Sequence, residues 1–244
     1  MEKLPNSNAG QTPSSKHTVD PQKPLVLFDL DGTLIDSQNL VFETFRQVFA
    51  QKLPDYQLSP EELYSFFGPT LETTFLRYFP PEEVEDVIDL YQKINKDLHY
   101  MLLREMPHAL ETVQKLYDEG YAMGILSNKR REPVLLGMEI CHLRPYFEAV
   151  FAKEDQPACK PDPAGLLHAA KVMGYPKEKA VYVGDNAADI QAAHRAGFVS
   201  IGYTLDTVQR TALEKEGPDY LIDDLRQLPF LLKEESKWNK NMIL

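Results

Sequence analysis

The chain has 244 residues, 43% of them hydrophobic, which suits one large domain or a core domain with a smaller insertion. Its formal net charge of −11 at pH 7 makes it a poor general binder of nucleic acid or of an anionic membrane surface. The sequence has no run of about 18 apolar residues and no apolar secretory core at its N-terminus, so we expect a cytoplasmic protein without a membrane-spanning helix.

Residues 1–22 are rich in Asn, Ser, Gln, Pro and Lys, a composition that predicts a disordered or loosely packed N-terminal tail. From Pro24 onward, strand-like segments alternate with helical ones. The strand candidates are Leu25–Asp29, Tyr121–Leu126, Ala149–Phe151, Ala180–Gly184, Val199–Tyr203 and Tyr220–Ile222. Helical patterns cover about 108–119, 132–142, 163–173 and 187–196. This alternation predicts βαβ units around a parallel sheet, and therefore an α/β fold.

Residues 37–105 interrupt the alternation, because their apolar residues recur at helical spacing and no strand-like run is present. We interpret 37–105 as an all-helical domain inserted between the first two strands of the sheet, the alternative being that these helices extend the core. The core then comprises 23–36 and 106–232. The polar segment 233–244 is expected to be a frayed C-terminal tail.

The first strand candidate is an apolar run that ends in two acidic residues, Asp29 and Asp31, followed at once by Gly32. Both carboxylates would stand at the carboxyl end of a buried parallel strand, where open α/β sheets bind their ligands. One carboxylate can attack phosphorus, and the second can protonate the leaving oxygen and then deprotonate water. Gly32 permits the sharp turn between them. Taken alone, the pattern also fits a simple turn or a calcium loop.

Two further polar elements lie beyond the first strand. The first of them, Ser127-Asn128-Lys129, directly follows the second strand candidate, where a hydroxyl and backbone N–H groups would hold a phosphoryl oxygen. Lys160 precedes a helical segment that begins near Pro163, and its ammonium would neutralise both a nucleophile and a transferring phosphoryl group. Each element alone is typical of an ordinary loop.

A fourth element follows the strand candidate Ala180–Gly184. Asp185 offers the hard oxygen ligand that Mg²⁺ prefers, and Asp189 lies one helical turn further, so both can face one site. The alternative is a helix N-terminus that carries favourable acidic residues. Because all four elements follow strands in this order, we predict that they form a single site.

These four elements resemble the motifs of the haloacid dehalogenase-like hydrolase superfamily. Segment 28–34, Phe-Asp-Leu-Asp-Gly-Thr-Leu, looks like the first motif, Ser127 the second, Lys160 the third, and Asp185 with Asp189 the fourth. The likeness covers about residues 24–228 and implies a Rossmann-like core with a mobile cap. The insertion resembles the helical cap of the phosphoglycolate phosphatase-like branch.

The resemblance also implies roles for the acidic residues. Asp29 would be the nucleophile and Asp31 the general acid and base. Mg²⁺ would be bound by Asp29, by the backbone carbonyl of Asp31 and by Asp185. Asp189 would be either a ligand or a residue that supports the ligands.

The cap contains one segment that resembles the substrate loop of this branch. It begins at Gly68, and Gly68 and Thr70 are its candidate substrate contacts. The alternative is a plain turn between two helices.

Asp31 and Thr33 bear on the choice of reaction. True dehalogenases of the family lack an acidic residue at the position of Asp31, and its sugar phosphomutases usually carry valine at the position of Thr33. The resemblance therefore implies a Mg²⁺-dependent phosphatase, monomeric or homodimeric, which hydrolyses a small phosphorylated metabolite such as phosphoglycolate. The alternatives are an inorganic pyrophosphatase or nucleotidase, a sugar phosphomutase, and a catalytically idle binding module.

Overall fold

The computed structural model describes residues 18–238, with side chains to residue 233. Its strands are β1 (Leu25–Phe28), β2 (Ile35–Asp36), β3 (Arg104–Glu105), β4 (Met123–Leu126), β5 (Ala149–Phe151), β6 (Ala180–Gly184), β7 (Val199–Tyr203) and β8 (Tyr220–Ile222). Six of them form one parallel sheet in the order β5-β4-β1-β6-β7-β8. The predicted α/β fold with a Rossmann-like parallel sheet is confirmed. β1 ends one residue earlier and β4 begins two residues later than predicted.

Helices cover both faces of this sheet. They are α5 (Ala109–Asp118), α6 (Arg131–Ile140), α7 (Ala164–Val172), α8 (Ala187–Ala196), α9 (Thr207–Glu216) and α10 (Leu228–Trp238), numbered after the four helices of the insertion. The sequence reasoning did not identify α9 or α10. α10 runs into the segment predicted as a frayed tail, so that prediction is wrong as far as Trp238; residues 239–244 lie outside the described part. Leu228 and Leu232, one helical turn apart, are fully buried and anchor the helix.

The N-terminal tail predicted over 1–22 falls partly outside the described residues, since 1–17 are not among them. Residues 18–22 lie against the core instead of forming a free tail. The Asp20 N–H donates to the Gly120 carbonyl at 2.9 Å, and Val19 packs against the hydrophobic cluster under the sheet. Residue 18 and residues 20–22 stay exposed, so this segment is loosely packed rather than disordered.

β1 supplies both hydrophobic cores of the sheet. Val26 and Phe28 belong to the cluster on one face, and Leu25 and Leu27 belong to the cluster on the other. All four are fully buried, as the alternation of side chains along a strand covered by helices on both sides requires. A central strand without polar alternation therefore fixes where Asp29, the next residue, emerges.

The insertion is made of α1 (Gln38–Lys52), α2 (Pro60–Tyr64), α3 (Leu71–Phe75) and α4 (Val84–Leu102). The chain leaves and re-enters the core through the antiparallel pair β2–β3. These helices have a hydrophobic cluster of their own, rich in aromatic rings, and Phe45 lies at its centre, 4.3 Å from Phe66 and 4.8 Å from Tyr91 between ring centroids. A separate core is what the predicted cap domain requires.

Within 18–238, no helix combines the length and apolar character needed to cross a membrane.

We expect Phe45→Ala to lower the free energy of unfolding by about 3–5 kcal/mol, because Phe45 is 1% exposed and its truncation leaves a cavity among aromatic rings. Urea denaturation followed by circular dichroism measures this. The control is Tyr100→Ala, at a cap residue that is 72% exposed, which should change stability by no more than about 0.5 kcal/mol. Equal effects of the two substitutions would contradict the separate cap core.

Candidate active site

The site lies at the carboxyl ends of three adjacent central strands. β1 is followed by Asp29, β4 by Ser127 and β6 by Asp185, and all three residues are buried. The Asp29 N–H donates to the Val183 carbonyl at 2.8 Å, which continues the β1–β6 ladder and fixes the direction of its side chain. The strand order therefore brings together residues that are distant in the sequence.

Lys160 reaches this point from the segment before α7. Its side chain is 3% exposed, and its ammonium lies 2.9 Å from the Asp29 carboxylate and 2.7 Å from that of Asp189. It also donates to the Tyr182 hydroxyl at 2.7 Å. Burial alone would lower the pKa of Lys160, but Asp189 and Asp29 outweigh it, so the pKa lies well above its usual value. Lys160 is therefore a fixed positive charge.

Three buried carboxylates surround this one ammonium. Each of Asp29, Asp185 and Asp189 has a carboxylate oxygen within 4.8 Å of the others. Burial, with the neighbouring carboxylates, raises the pKa of Asp29 to about 7 although Lys160 opposes the shift. Burial, with the carboxylates of Asp189 and Asp29, also raises the pKa of Asp185 well above its usual value. Because one ammonium does not balance three carboxylates, the donors and the charge fit a divalent cation such as Mg²⁺.

Gly32 allows the approach of Asp185 to the first motif. A Cβ atom at this position would lie 2.2 Å from the Asp185 Oδ2 atom, and the residue has a φ of +79°. Any side chain would displace the carboxylate and strain the backbone. The glycine in the Asp-x-Asp-Gly pattern thus makes room for a carboxylate that comes from another strand.

Asp31 lies apart from the carboxylate cluster. Its Oδ1 atom accepts a bond from the Lys129 ammonium at 2.5 Å, and its buried Oδ2 atom has no hydrogen-bond partner among the described residues. Lys129 is the last residue of the predicted second element, but the sequence gives it no role of its own. Nothing in the sequence indicates which of the nearby lysines faces Asp31. The backbone carbonyl of Asp31 as a metal ligand stays a prediction.

Asn128 connects the cap to the core. Its side-chain amide donates to the carbonyls of Gly68 and Lys160, each at 3.0 Å, and its Oδ1 atom accepts from the Lys160 N–H at 3.0 Å. Ser127 lies beside it, and its Oγ atom accepts from the Lys129 N–H at 3.2 Å. These bonds hold the second and third elements together and set the position of the cap loop.

Asp189 is fully buried, and both of its carboxylate oxygens accept hydrogen bonds. Its Oδ2 atom accepts from the backbone N–H groups of Asp185 and Asn186, both at 3.1 Å, while Oδ1 accepts from Lys160. Asp185 in turn accepts a bond from Gln209 on α9, a residue that no sequence pattern indicates. Gln209 lies outside every recognised motif, and only the fold carries it to the site.

A cavity of about 120 Å³ separates the cap from these residues. Its wall includes Asp29, Asp31, Gly68, Thr70, Tyr91, Asn95, His99, Ser127, Asn128, Lys129, Lys160 and Asp185. Thr70 is the N-cap residue of α3, and its Oγ1 atom accepts from the Thr73 N–H at 3.3 Å. The role of Gly68 and Thr70 in substrate contact stays a prediction. On the cap side, burial lowers the pKa of His99, which keeps its ring neutral at pH 7.

Comparison with known proteins matches this chain to one family and to several named relatives. The family model for haloacid dehalogenase-like hydrolases matches residues 26–203. Pyrophosphatase PpaX of Bacillus pumilus is 34% identical over 203 residues, which cover 83% of this chain and 93% of that protein. Pyrophosphatase PpaX of Listeria monocytogenes serotype 4b is 30% identical over 210 residues, covering 86% and 96% of the two chains.

Solved structures share the same fold. A protein of Bacteroides fragilis assigned to the haloacid dehalogenase-like hydrolases superposes with a TM-score of 0.78 at 27% identity and covers 84% of this chain and 99% of its own. A predicted phosphoglycolate phosphatase of Haemophilus somnus has a TM-score of 0.76 at 21% identity, with coverages of 86% and 98%; at this identity the likeness concerns the fold alone.

We expect the protein to bind Mg²⁺ in the absence of any substrate, and Asp185→Asn to weaken that binding by roughly 10- to 100-fold or more, because it removes a negative charge from the carboxylate cluster. Isothermal titration calorimetry with MgCl₂ measures this. Asp118→Asn, at an exposed carboxylate of α5, is the matched control and should leave the affinity unchanged. Unaltered binding in Asp185→Asn would contradict the cation site.

Proposed function

Because this chain belongs to the haloacid dehalogenase-like hydrolase family, we propose that it is a phosphatase that hydrolyses a small phosphate ester through a phosphorylated Asp29. One observation carries the proposal. The Asp29 carboxylate emerges from the central strand against the Lys160 ammonium, 2.9 Å away, and Asp31 lines the same cavity. This arrangement supplies a nucleophile, a positive charge for the phosphoryl group and a proton donor.

Two residues perform the first chemical step. A carboxylate oxygen of Asp29 attacks phosphorus, and the bond between phosphorus and the leaving oxygen breaks. Asp31 transfers its proton to that oxygen, so the leaving group departs as a neutral hydroxyl. The Lys160 ammonium stabilises the negative charge on the phosphoryl oxygens, and Ser127 supplies a further donor. The product of this step is Asp29 carrying the phosphoryl group as an acyl phosphate.

The second step restores the enzyme. Asp31, now a carboxylate, takes a proton from water, and the water oxygen attacks phosphorus. The bond from phosphorus to the Asp29 oxygen breaks, which releases inorganic phosphate and regenerates both carboxyl groups. The Lys129 ammonium, 2.5 Å from Asp31, holds this carboxyl in the wall of the cavity, where leaving group and water would both approach.

The carboxylate cluster would hold Mg²⁺ through Asp29, Asp185 and Asp189. When bound, Mg²⁺ supplies positive charge that neutralises the phosphoryl oxygens and the developing charge of the transfer. The chain's own contribution is to keep three carboxylates buried and close together around Lys160. The cap excludes bulk water from the cavity while its loop at Gly68 stays bonded to Asn128.

The substrate we propose first is a small phosphate monoester of the phosphoglycolate kind. The cavity of about 120 Å³ has room for a compact substrate, and Lys129 and Lys153 place positive charge in its wall. A second candidate is inorganic pyrophosphate, because relatives that are 34% and 30% identical over most of the chain bear the name pyrophosphatase. Both substrates are small anions that carry a second negative group on the leaving side.

Two other interpretations are less well supported. A sugar phosphomutase is less well supported because the phosphomutases that this chain resembles usually carry valine at the position of Thr33. A catalytically idle binding module would have no use for three buried carboxylates and a buried ammonium, since each costs free energy to desolvate. The intact set of charged groups therefore supports an enzyme.

We expect Asp29→Asn to lower kcat by a factor of roughly 10⁴ or more while the fold is retained, because an amide is a far weaker nucleophile than a carboxylate. Release of inorganic phosphate from phosphoglycolate, pyrophosphate and p-nitrophenyl phosphate in the presence of Mg²⁺ measures this. Thermal unfolding checks the fold, and Asp118→Asn serves again as the matched control. Wild-type turnover by Asp29→Asn would exclude the proposed nucleophile.

We expect Asp31→Asn to slow substrates with poor leaving groups by about 10²–10⁴-fold, since the general acid is lost, and to slow p-nitrophenyl phosphate much less, because nitrophenolate leaves without a proton. A series of aryl and alkyl phosphates of rising leaving-group pKa measures the difference as the slope of log(kcat/KM) against that pKa. The slope should steepen in the variant. An equal loss for every substrate would assign Asp31 a different role.

A further inference from the structure

Asp185 differs from the other two carboxylates of the cluster in the groups that hold it. The Lys160 ammonium contacts Asp29 and Asp189, and within the described part of the chain no ion pair reaches Asp185. Its carboxylate is nonetheless buried, with the residue only 5% exposed. A buried carboxylate without a cationic partner depends on hydrogen bonds for its orientation.

Gln209 supplies most of that support. Its side-chain Nε2 atom donates to the Asp185 Oδ2 atom at 2.9 Å and to the Asp185 backbone carbonyl at 2.7 Å. The other side-chain donor is Thr33, whose hydroxyl lies at a long 3.4 Å from Oδ1. Because a carboxylate oxygen has two lone pairs, the amide bonds still leave Asp185 able to bind a cation.

The orientation of the Gln209 amide is itself fixed. The hydroxyl of Thr204, a buried residue directly after β7, donates to the Gln209 Oε1 atom at 2.7 Å. With Oε1 held by a donor, the NH₂ group must face Asp185. A line of hydrogen bonds thus runs from the end of β7 through the amide to the carboxylate.

The N-terminus of α9 is capped by other groups, which leaves the Gln209 amide able to bond to Asp185. Gln209 is the third residue of the helix, where a glutamine often folds back onto the N–H of the capping residue. Here the N–H of the cap, Asp206, instead donates to the Thr204 Oγ1 atom at 3.0 Å. The Asp206 carboxylate caps the N–H groups of Val208 and Gln209, each at 2.8 Å. The helix end is therefore satisfied without the Gln209 side chain.

We propose that Gln209 is a positioning residue that holds the Asp185 carboxylate in the orientation in which it binds the divalent cation. The inference rests on the proposed function, because it concerns the cation of that same site. Gln209 does not touch the reacting atoms in this arrangement; it acts through Asp185. We expect its loss to weaken cation binding and to leave the chemical step largely intact once the cation is bound.

The test uses the full chain and MgCl₂ as the probe, without substrate. Gln209→Leu removes the amide at similar volume, and Thr204→Val removes the hydroxyl that orients it. The matched control is Gln191→Leu, because Gln191 on α8 donates to the Glu216 carboxylate at the other end of α9 at 3.0 Å. Calorimetry gives the Mg²⁺ affinity, thermal unfolding without Mg²⁺ gives the stability, and phosphate release against Mg²⁺ concentration gives kcat at saturation.

We expect Gln209→Leu to weaken Mg²⁺ binding by about 10- to 100-fold, Thr204→Val to weaken it less, and Gln191→Leu to leave it unchanged. At saturating Mg²⁺, kcat of Gln209→Leu should return to near the wild-type value. Unchanged affinity in Gln209→Leu overturns the proposal, as does an equal loss in Gln191→Leu, which would show that α9 acts only as a structural support. If the wild type binds Mg²⁺ but releases no phosphate, the proposed function fails and the positioning role is still decided by the affinities.

Discussion

The burial of three carboxylates around a single ammonium is the constraint on which the rest of this structure depends. Asp29, Asp185 and Asp189 come from the ends of two neighbouring strands and the first turn of a helix, and Lys160 joins two of them. Desolvation of so many charges is costly unless opposite charges and hydrogen bonds compensate. The parallel order of the sheet provides that compensation, because it brings backbone N–H groups, Lys160 and Gln209 to the same edge.

The cap contacts this edge of the sheet through hydrogen bonds and ion pairs. Asn128 joins the Gly68 carbonyl to the Lys160 carbonyl, so the cap loop at the cavity is tied to the backbone of Lys160. Further out, ion pairs join cap and core at Arg130–Glu85, Lys96–Glu132 and Lys153–Glu72. The Lys96–Glu132 pair is exposed and contributes little free energy, whereas the side chains of Lys153 and Glu72 are half-buried. The cap's own aromatic core keeps it folded.

Much of the fold follows from local patterns. β6, β7 and β8 begin and end where the sequence predicts, because short apolar runs bounded by turn residues are typical of buried strands. The pattern failed for α9 and α10. α9 buries only Leu213 among its ten residues, so it has no apolar stripe to identify it. α10 is apolar at its start but polar beyond, and its place against the core decides that it continues as a helix.

The sequence by itself determined which chemical groups form the site. Each of them stands directly after an apolar run or before a helix, namely Asp29, Asp31, Lys160 and Asp185. Such local patterns can be recognised without a structure. Only the tertiary structure decided how these groups are held. It separated Asp31, which pairs with a neighbouring lysine, from the carboxylate cluster, and it brought Gln209 to Asp185. Residues far apart in the chain meet through strand order and helix packing, and no local pattern encodes those distances.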